Sequence, residues 1–216
     1  MREVKREGKD PATKVFVEPV VSGFPPGAVL AFAVRPAGGK QQTIATGYVT
    51  DSAGAIVCGD RAAHADLAAG LGGAWCPTAW ANLGIVVGST RPAEPMHFMA
   101  YTIDAAHPGH RAYATVIARP LRAVQDGCTL EAELVMPPHG YVMEGWGFQP
   151  SDSVRYESRS GKGVAGGVFV ADSVGWLPPA YVVPGIQGKK GGQATHEVVS
   201  STCRVTLKYP WGDASR

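Results

Sequence analysis

Four sets of residues have types and spacings that could carry chemistry. The first is a literal G-x-G-x-x-G at Gly161-Lys162-Gly163-Val164-Ala165-Gly166. A dinucleotide site needs this loop between a strand and a helix, because the helix N-terminus holds the pyrophosphate. Here GGVFVAD follows, which alternates as a strand, so a hairpin turn is expected. No Gly-Lys is followed by Ser or Thr at the spacing a phosphate-binding loop requires. The second set is His97, His107 and His110, with Asp104, Met96 and Met99 nearby. Copper or zinc accepts such ligands, but in the strand pattern of Met96-His97-Phe98-Met99 neighbouring side chains point to opposite faces. Surface and turn histidines are therefore expected, with no metal site and no cofactor. His64 and His196 stand in separate segments.

The third set is nucleophilic. No G-x-S-x-G elbow occurs, and Ser158–Ser160 and Ser200–Ser201 have no base close by in sequence. Glu131, Glu133, Glu144 and Glu157 fall on alternating segments, where solvated faces account for them. No enzymatic activity is expected. The fourth set is aromatic: Trp75, Trp80, Trp146, Trp176 and Trp211 all stand in Gly- or Pro-containing surroundings and are expected in turns. Exposed loop aromatics stack on sugar rings or anchor interfaces, while buried ones cap the end of a sandwich. Trp146 and Trp176 exposed together on one end would favour a glycan site.

The elements that must position these residues are strands. With 28 Gly, 17 Pro and 18% charged residues, helices are short and turns frequent, and the intervening Val, Thr, Tyr and Phe favour pleated segments. The net charge of +2 and the lack of a basic stripe argue against nucleic acid as a partner. No segment approaches the roughly 18 uninterrupted apolar residues of a membrane span. The start, MREVKREGKDPATK, lacks the apolar core of a signal peptide. Either a signal has been removed or the protein is cytosolic.

Four cysteines, Cys58, Cys76, Cys128 and Cys203, include no C-x-x-C pair, which argues against zinc and a redox motif. Two disulfides are expected, Cys58–Cys76 and Cys128–Cys203, each within one proposed domain; four buried thiols are the alternative. Such loops contribute about 3 and 4.5 kcal/mol in the chain-entropy model. Disulfides imply an oxidising compartment, so an extracellular or cell-surface location is expected.

Aligning the halves reveals an internal repeat. Gly23-Phe24-Pro25-Pro26-Gly27-Ala28-Val29 corresponds to Gly147-Phe148-Gln149-Pro150-Ser151-Asp152-Ser153-Val154. Further on, Asp51-Ser52-Ala53-Gly54 corresponds to Asp172-Ser173-Val174-Gly175. Each D-S-x-G interrupts an apolar alternating segment and reads as a β-turn. The expected organisation is an N-terminal arm over residues 1–12, a first domain over 13–120 and a second over 126–212, joined at RPLRAVQDG. CTLEAELV, YVMEGWGF, DSVRYES, GGVFVAD, AYVVPGI, ATHEVVS and TCRVTLKY give the second domain the seven strands of a β-sandwich. In the first, RAAHADLAAGL is expected as a short helix.

The G-F-x-P strand-opening loop, the D-x-x-G turn and the closing strand with Cys203 resemble the tandem immunoglobulin-like modules of bacterial extracellular proteins. The resemblance implies an all-β fold of two tandem immunoglobulin-like β-sandwich domains. It also implies a spacer, adhesin, assembly-subunit or ligand-binding role without catalysis. The leading expectation is a self-associating subunit of a cell-surface assembly or fibre. Its partner would be another copy, with Val15, Phe16 and Val17 of KVFVEPVV adding as a strand to a neighbour's sheet edge. The alternative is a soluble module binding a glycan or surface protein through Trp146 and Trp176.

Overall fold

A computed structural model describes residues 2–7, 14–18, 20–57, 63–64, 74–75, 84–87 and 91–215. The fold is all-β, and its regular structure apart from strands is one 3-10 turn at Asp213–Ser215 among the described residues. The chain divides into two compact units, residues 1–90 with 96–118, and residues 91–95 with 119–216.

The first unit contains β1 (Arg2–Glu7), β2 (Lys14–Glu18), β3 (Val29–Pro36), β4 (Gln42–Thr50), β5 (Ile56–Val57), β6 (Ala63–His64), β7 (Ala74–Trp75), β8 (Gly84–Val87), β9 (Pro95–Thr102) and β10 (Arg111–Ile117). One sheet runs β10-β9-β3-β4-β5, with β6 also on β4. Leu30, Phe32 and Val34 of β3 and Met96, Phe98 and Ala100 of β9 alternate onto its core face, joined there by Ile44 and Tyr48. A second sheet runs β1-β2-β8-β7. Where a free arm was expected, Arg2–Glu7 is a strand: β2 pairs with β1 along one edge and β8 along the other. Both hydrogen-bonding edges of Val15, Phe16 and Val17 are thus occupied within the unit. Of the expected helix, Ala63–His64 is instead a strand opposite Thr46 and Ala45; its other residues, and Cys58 and Cys76, lie outside the described residues.

The second unit contains β11 (Leu121–Gln125), β12 (Cys128–Met136), β13 (Gly140–Trp146), β14 (Ser153–Ser160), β15 (Gly163–Val170), β16 (Trp176–Val182), β17 (Gly191–Val199) and β18 (Arg204–Gly212). Two four-stranded sheets, β11-β12-β13-β16 and β15-β14-β17-β18, share one core. Leu130, Leu134, Tyr141, Met143 and Leu177 contribute from one sheet, and Val154, Val198, Val205, Leu207 and Tyr209 from the other. The architecture is sandwich-like. The Cys128–Cys203 disulfide spans the two sheets, with its Cα atoms 6.3 Å apart. The expected linker is in fact a strand. Leu121–Gln125 alternates, and Asp126 and Gly127 both take positive φ (52° and 83°), the pair of left-handed residues a two-residue hairpin needs. Arg91–Pro95 also belongs to this unit: Ala93 is fully buried, donates to Arg119 O and accepts from Leu134 N.

Candidate functional site

The G-x-G-x-x-G segment forms a hairpin: Ser160 pairs with Gly163 and Gly161-Lys162 make the turn. A strand, β15, follows it. Gly161 takes φ 59°, and a Cβ there would lie 2.6 Å from Ile186. Gly161 serves the turn and the packing against Ile186, and at Gly166 a Cβ would lie 2.7 Å from Tyr156 O.

The three clustered histidines have three separate partners. His97 Nδ1 is 3.1 Å from Thr115 Oγ1, His107 Nδ1 is 2.9 Å from Asp104 Oδ1, and the His110 ring lies 6.5 Å from that of Phe24. Asp104 is a structural clamp: it accepts Val29 N at 2.7 Å and His107 N at 2.8 Å. Those bonds, led by that of Val29, hold its carboxyl below the usual aspartate range. No group of three His, Cys, Asp or Glu among the described residues is arranged to hold a metal.

A pair invisible in the sequence joins Ser158 and His196. Antiparallel pairing of β14 with β17 sets them opposite each other, and Ser158 Oγ lies 2.6 Å from His196 Nδ1. The signal available in the sequence was Ala194-Thr195-His196-Glu197-Val198: alternation puts His196 on the apolar face. The imidazole is 1% exposed and stacks on Tyr156, with ring centroids 5.8 Å apart. Burial pushes its pKa down to about 4. A base that weak does not activate a serine hydroxyl at neutral pH, and no carboxylate pairs with the ring among the described residues. The pair is a packed hydrogen bond in the core.

The tryptophans separate into different environments. Trp211 lies inside β18, 1% exposed, with its ring 6.1 Å from that of His139; it is core, not turn. Trp75 ends the two-residue β7, and Trp80 lies outside the described residues. Trp146 closes β13 and Trp176 opens β16, and the two are directly opposed across these strands. Trp176 is 41% exposed and Trp146 is half-buried. Tyr181 is five residues from Trp176, a separation that in a regular strand puts side chains on opposite faces. An extra residue in β16, between the pairs Met143–Ala180 and Gly145–Leu177, restores the phase. Trp176 then lines up with Trp146, and Tyr181 with Val142, on the outer face of the sheet. Such a bulge re-aims side chains.

Around this strip one guanidinium stands among carboxylates. The Arg122 guanidinium lies 5.3 Å from the Trp146 ring centre, a cation–π distance, and its Nε is 3.4 Å from Glu131 Oε1. Glu144 stands opposite Glu131. Exposed rings beside carboxylates and a guanidinium supply apolar platforms and hydrogen-bonding groups at one surface. No protein-family model matches the chain, and no curated protein matches it.

Proposed function

We propose that this protein is a non-enzymatic, extracellular binding protein of two tandem immunoglobulin-like modules, whose second unit binds neutral polysaccharide on its outer sheet face. The observation that carries the reading is the opposed pair Trp146 and Trp176, brought into phase with Tyr181 by the β16 bulge. Aromatic faces pack against the apolar C–H face of pyranose rings, and the flanking Arg122, Glu131 and Glu144 offer donors and acceptors to hydroxyls. The Cys128–Cys203 bridge supports an oxidising location.

The test is affinity electrophoresis and glycan-array binding of wild type, Trp146→Ala, Trp176→Ala and the double variant. Binding to a neutral polysaccharide that weakens about tenfold in each single variant and disappears in the double one supports the reading. Binding that survives the double variant rejects this face.

Self-association has its own supporting observation. β15 is a sheet-edge strand, GVAGGVFV, without charge and with Val164, Val168 and Val170 exposed. Natural edge strands usually carry a charge or proline to prevent edge-to-edge pairing. This reading moves the contact from the N-terminal residues to β15. Light scattering and negative-stain electron microscopy test it: filaments that dissolve on Val168→Lys support a polymer, and a 22.6 kDa monomer at every concentration rejects it.

A further inference from the structure

The outer face of the first unit's larger sheet carries a different cavity, of about 440 Å³, within the size range of pockets for small ligands. Its floor is Ala33 and Met99, which face each other across β3 and β9. Ala33 is small and lies beneath its longer neighbours, nearly fully buried. Tyr101 and Tyr113 line its walls with Gln41 and His97. The Tyr101 hydroxyl meets Thr43 Oγ1 at 3.2 Å, and His97 is bonded to Thr115.

Two arginines also line it, and among the described residues no carboxylate does. Arg35 stands opposite His97. Arg111 begins β10 at the Tyr101 end of β9, where Thr102 N donates to His110 O. His97 and Tyr101 are four residues apart, so the backbone positions that carry the two arginines are offset by about 13 Å along the strands. Both arginines are exposed, and neither forms an ion pair with a described residue. Guanidinium groups stay charged at all physiological pH values. Two arginines anchored at separated backbone positions, with no ion-pair partner among the described residues, over a recess lined by hydroxyl, amide and aromatic groups offer more than a single inorganic anion needs. They match a ligand with spaced negative charges and hydroxyls between them.

We propose that this cavity binds an acidic oligosaccharide, with carboxylates on separate sugar units held by Arg35 and Arg111 and a sugar ring against Tyr113. The site is independent of the neutral-polysaccharide face, since it lies in the other unit and uses charge rather than tryptophan.

The experiment is isothermal titration of the full chain with tetragalacturonate. Maltotetraose is the neutral control and sodium sulfate the simple-anion control. Tetragalacturonate alone is expected to bind, with affinity falling as salt rises. Arg35→Gln and Arg111→Gln are each expected to lose about tenfold, the scale of one charge-assisted hydrogen bond. Trp176→Ala is expected to leave this binding unchanged, so failure here is distinguishable from failure of the tryptophan face. Thermal melts of the arginine variants are expected to match wild type, because both side chains are exposed. No tetragalacturonate binding, equal binding of maltotetraose, displacement by equimolar sulfate, or full affinity in the double arginine variant would each overturn the proposal.

Discussion

The two units solve the same turn with the same backbone and different locks. Gly27 N donates to Thr50 O and Ser151 N to Ala171 O; Ala28 N donates to Pro25 O and Asp152 N to Gln149 O. In each D-S-x-G turn the aspartate Oδ1 accepts two amides, those of Ala53 and Ala55 on Asp51 and those of Val174 and Trp176 on Asp172. The side chains that secure these loops differ. In the first unit Thr50 Oγ1 accepts Ala28 N at 2.9 Å and donates to Pro25 O at 2.6 Å. The second unit has Ala171 there, and Asp152 instead reaches the turn before Cys203, accepting Ser201 N at 2.9 Å and Ser201 Oγ at 2.7 Å. One lock is local. The other ties the loop to the disulfide region. Because the backbone bonds carry the turn, the side chains around it can differ, and the outer faces differ too. The first unit presents arginines without an ion-pair partner among the described residues over a recess, the second an aromatic strip beside Arg122, Glu131 and Glu144.

The largest expected effect breaks this comparison on one side. Replacing Cys128 and Cys203 by Ala removes a bridge across a separation of 75 residues, worth about 4.5 kcal/mol in the chain-entropy model. Calorimetry of the variant is expected to show the second unit melting earlier while the first keeps its transition. A shift of both transitions together would mean that the units do not unfold separately.

Acid sharpens the contrast next. The unfolded His196 imidazole titrates near 6.5 and the folded one at about 4. As pH falls, the unfolded chain therefore binds the proton first. The second unit's stability from this group is complete above pH 6.5 and is lost between 6.5 and 4, by about 3 kcal/mol. Denaturant melts across that window check it, and His196→Gln is expected to flatten the slope. Asp104 and Asp152 both have lowered pKa values, led by the Val29 amide bond and the Ser201 hydroxyl bond respectively. Their contributions remain until the pH falls below the ordinary aspartate range.

Gly54→Ala and Gly175→Ala probe what the units share. Both glycines take positive φ, and an added Cβ would sit 2.5 Å from Phe24 O and 2.1 Å from Phe148 O. Each substitution is expected to cost about 2 kcal/mol, from left-handed strain and overpacking. Loss in one unit only would show that the turns are not equivalent. The smallest expected effect is Ser151→Gly. Ser151 holds φ 64° where the first unit has Gly27 at 75°, so glycine there is expected to change stability by less than about 1 kcal/mol, in the favourable direction, by chemical denaturation.

Much of the second unit was legible because its determinants are local. Alternation in CTLEAELV and TCRVTLKY, the D-S-x-G turns and the SGKG hairpin each depend on a few neighbouring residues. Asp126-Gly127 is legible as a turn, but the alternation of Leu121–Gln125 just before it, short and inside the expected junction RPLRAVQDG, becomes a strand only by pairing with β12. The first unit was less legible: five of the six residues of Arg2–Glu7 are charged, and such a segment becomes a strand only by pairing with β2.

The sequence by itself determined the all-β class and the local turns, and it offered the Cys128–Cys203 pair that the structure joins. Tertiary structure alone decided the rest. Ser158 meets His196 through a register set 38 residues away; Trp176 shares a face with Tyr181 because one extra residue rephases β16; Arg35 and Arg111 line one recess because β9 runs between their strands. Turn and strand preferences act over a few residues, whereas cross-strand register and bulge phase depend on which distant segments pack together, so the surfaces that bind are written in the pairing rather than in any one segment.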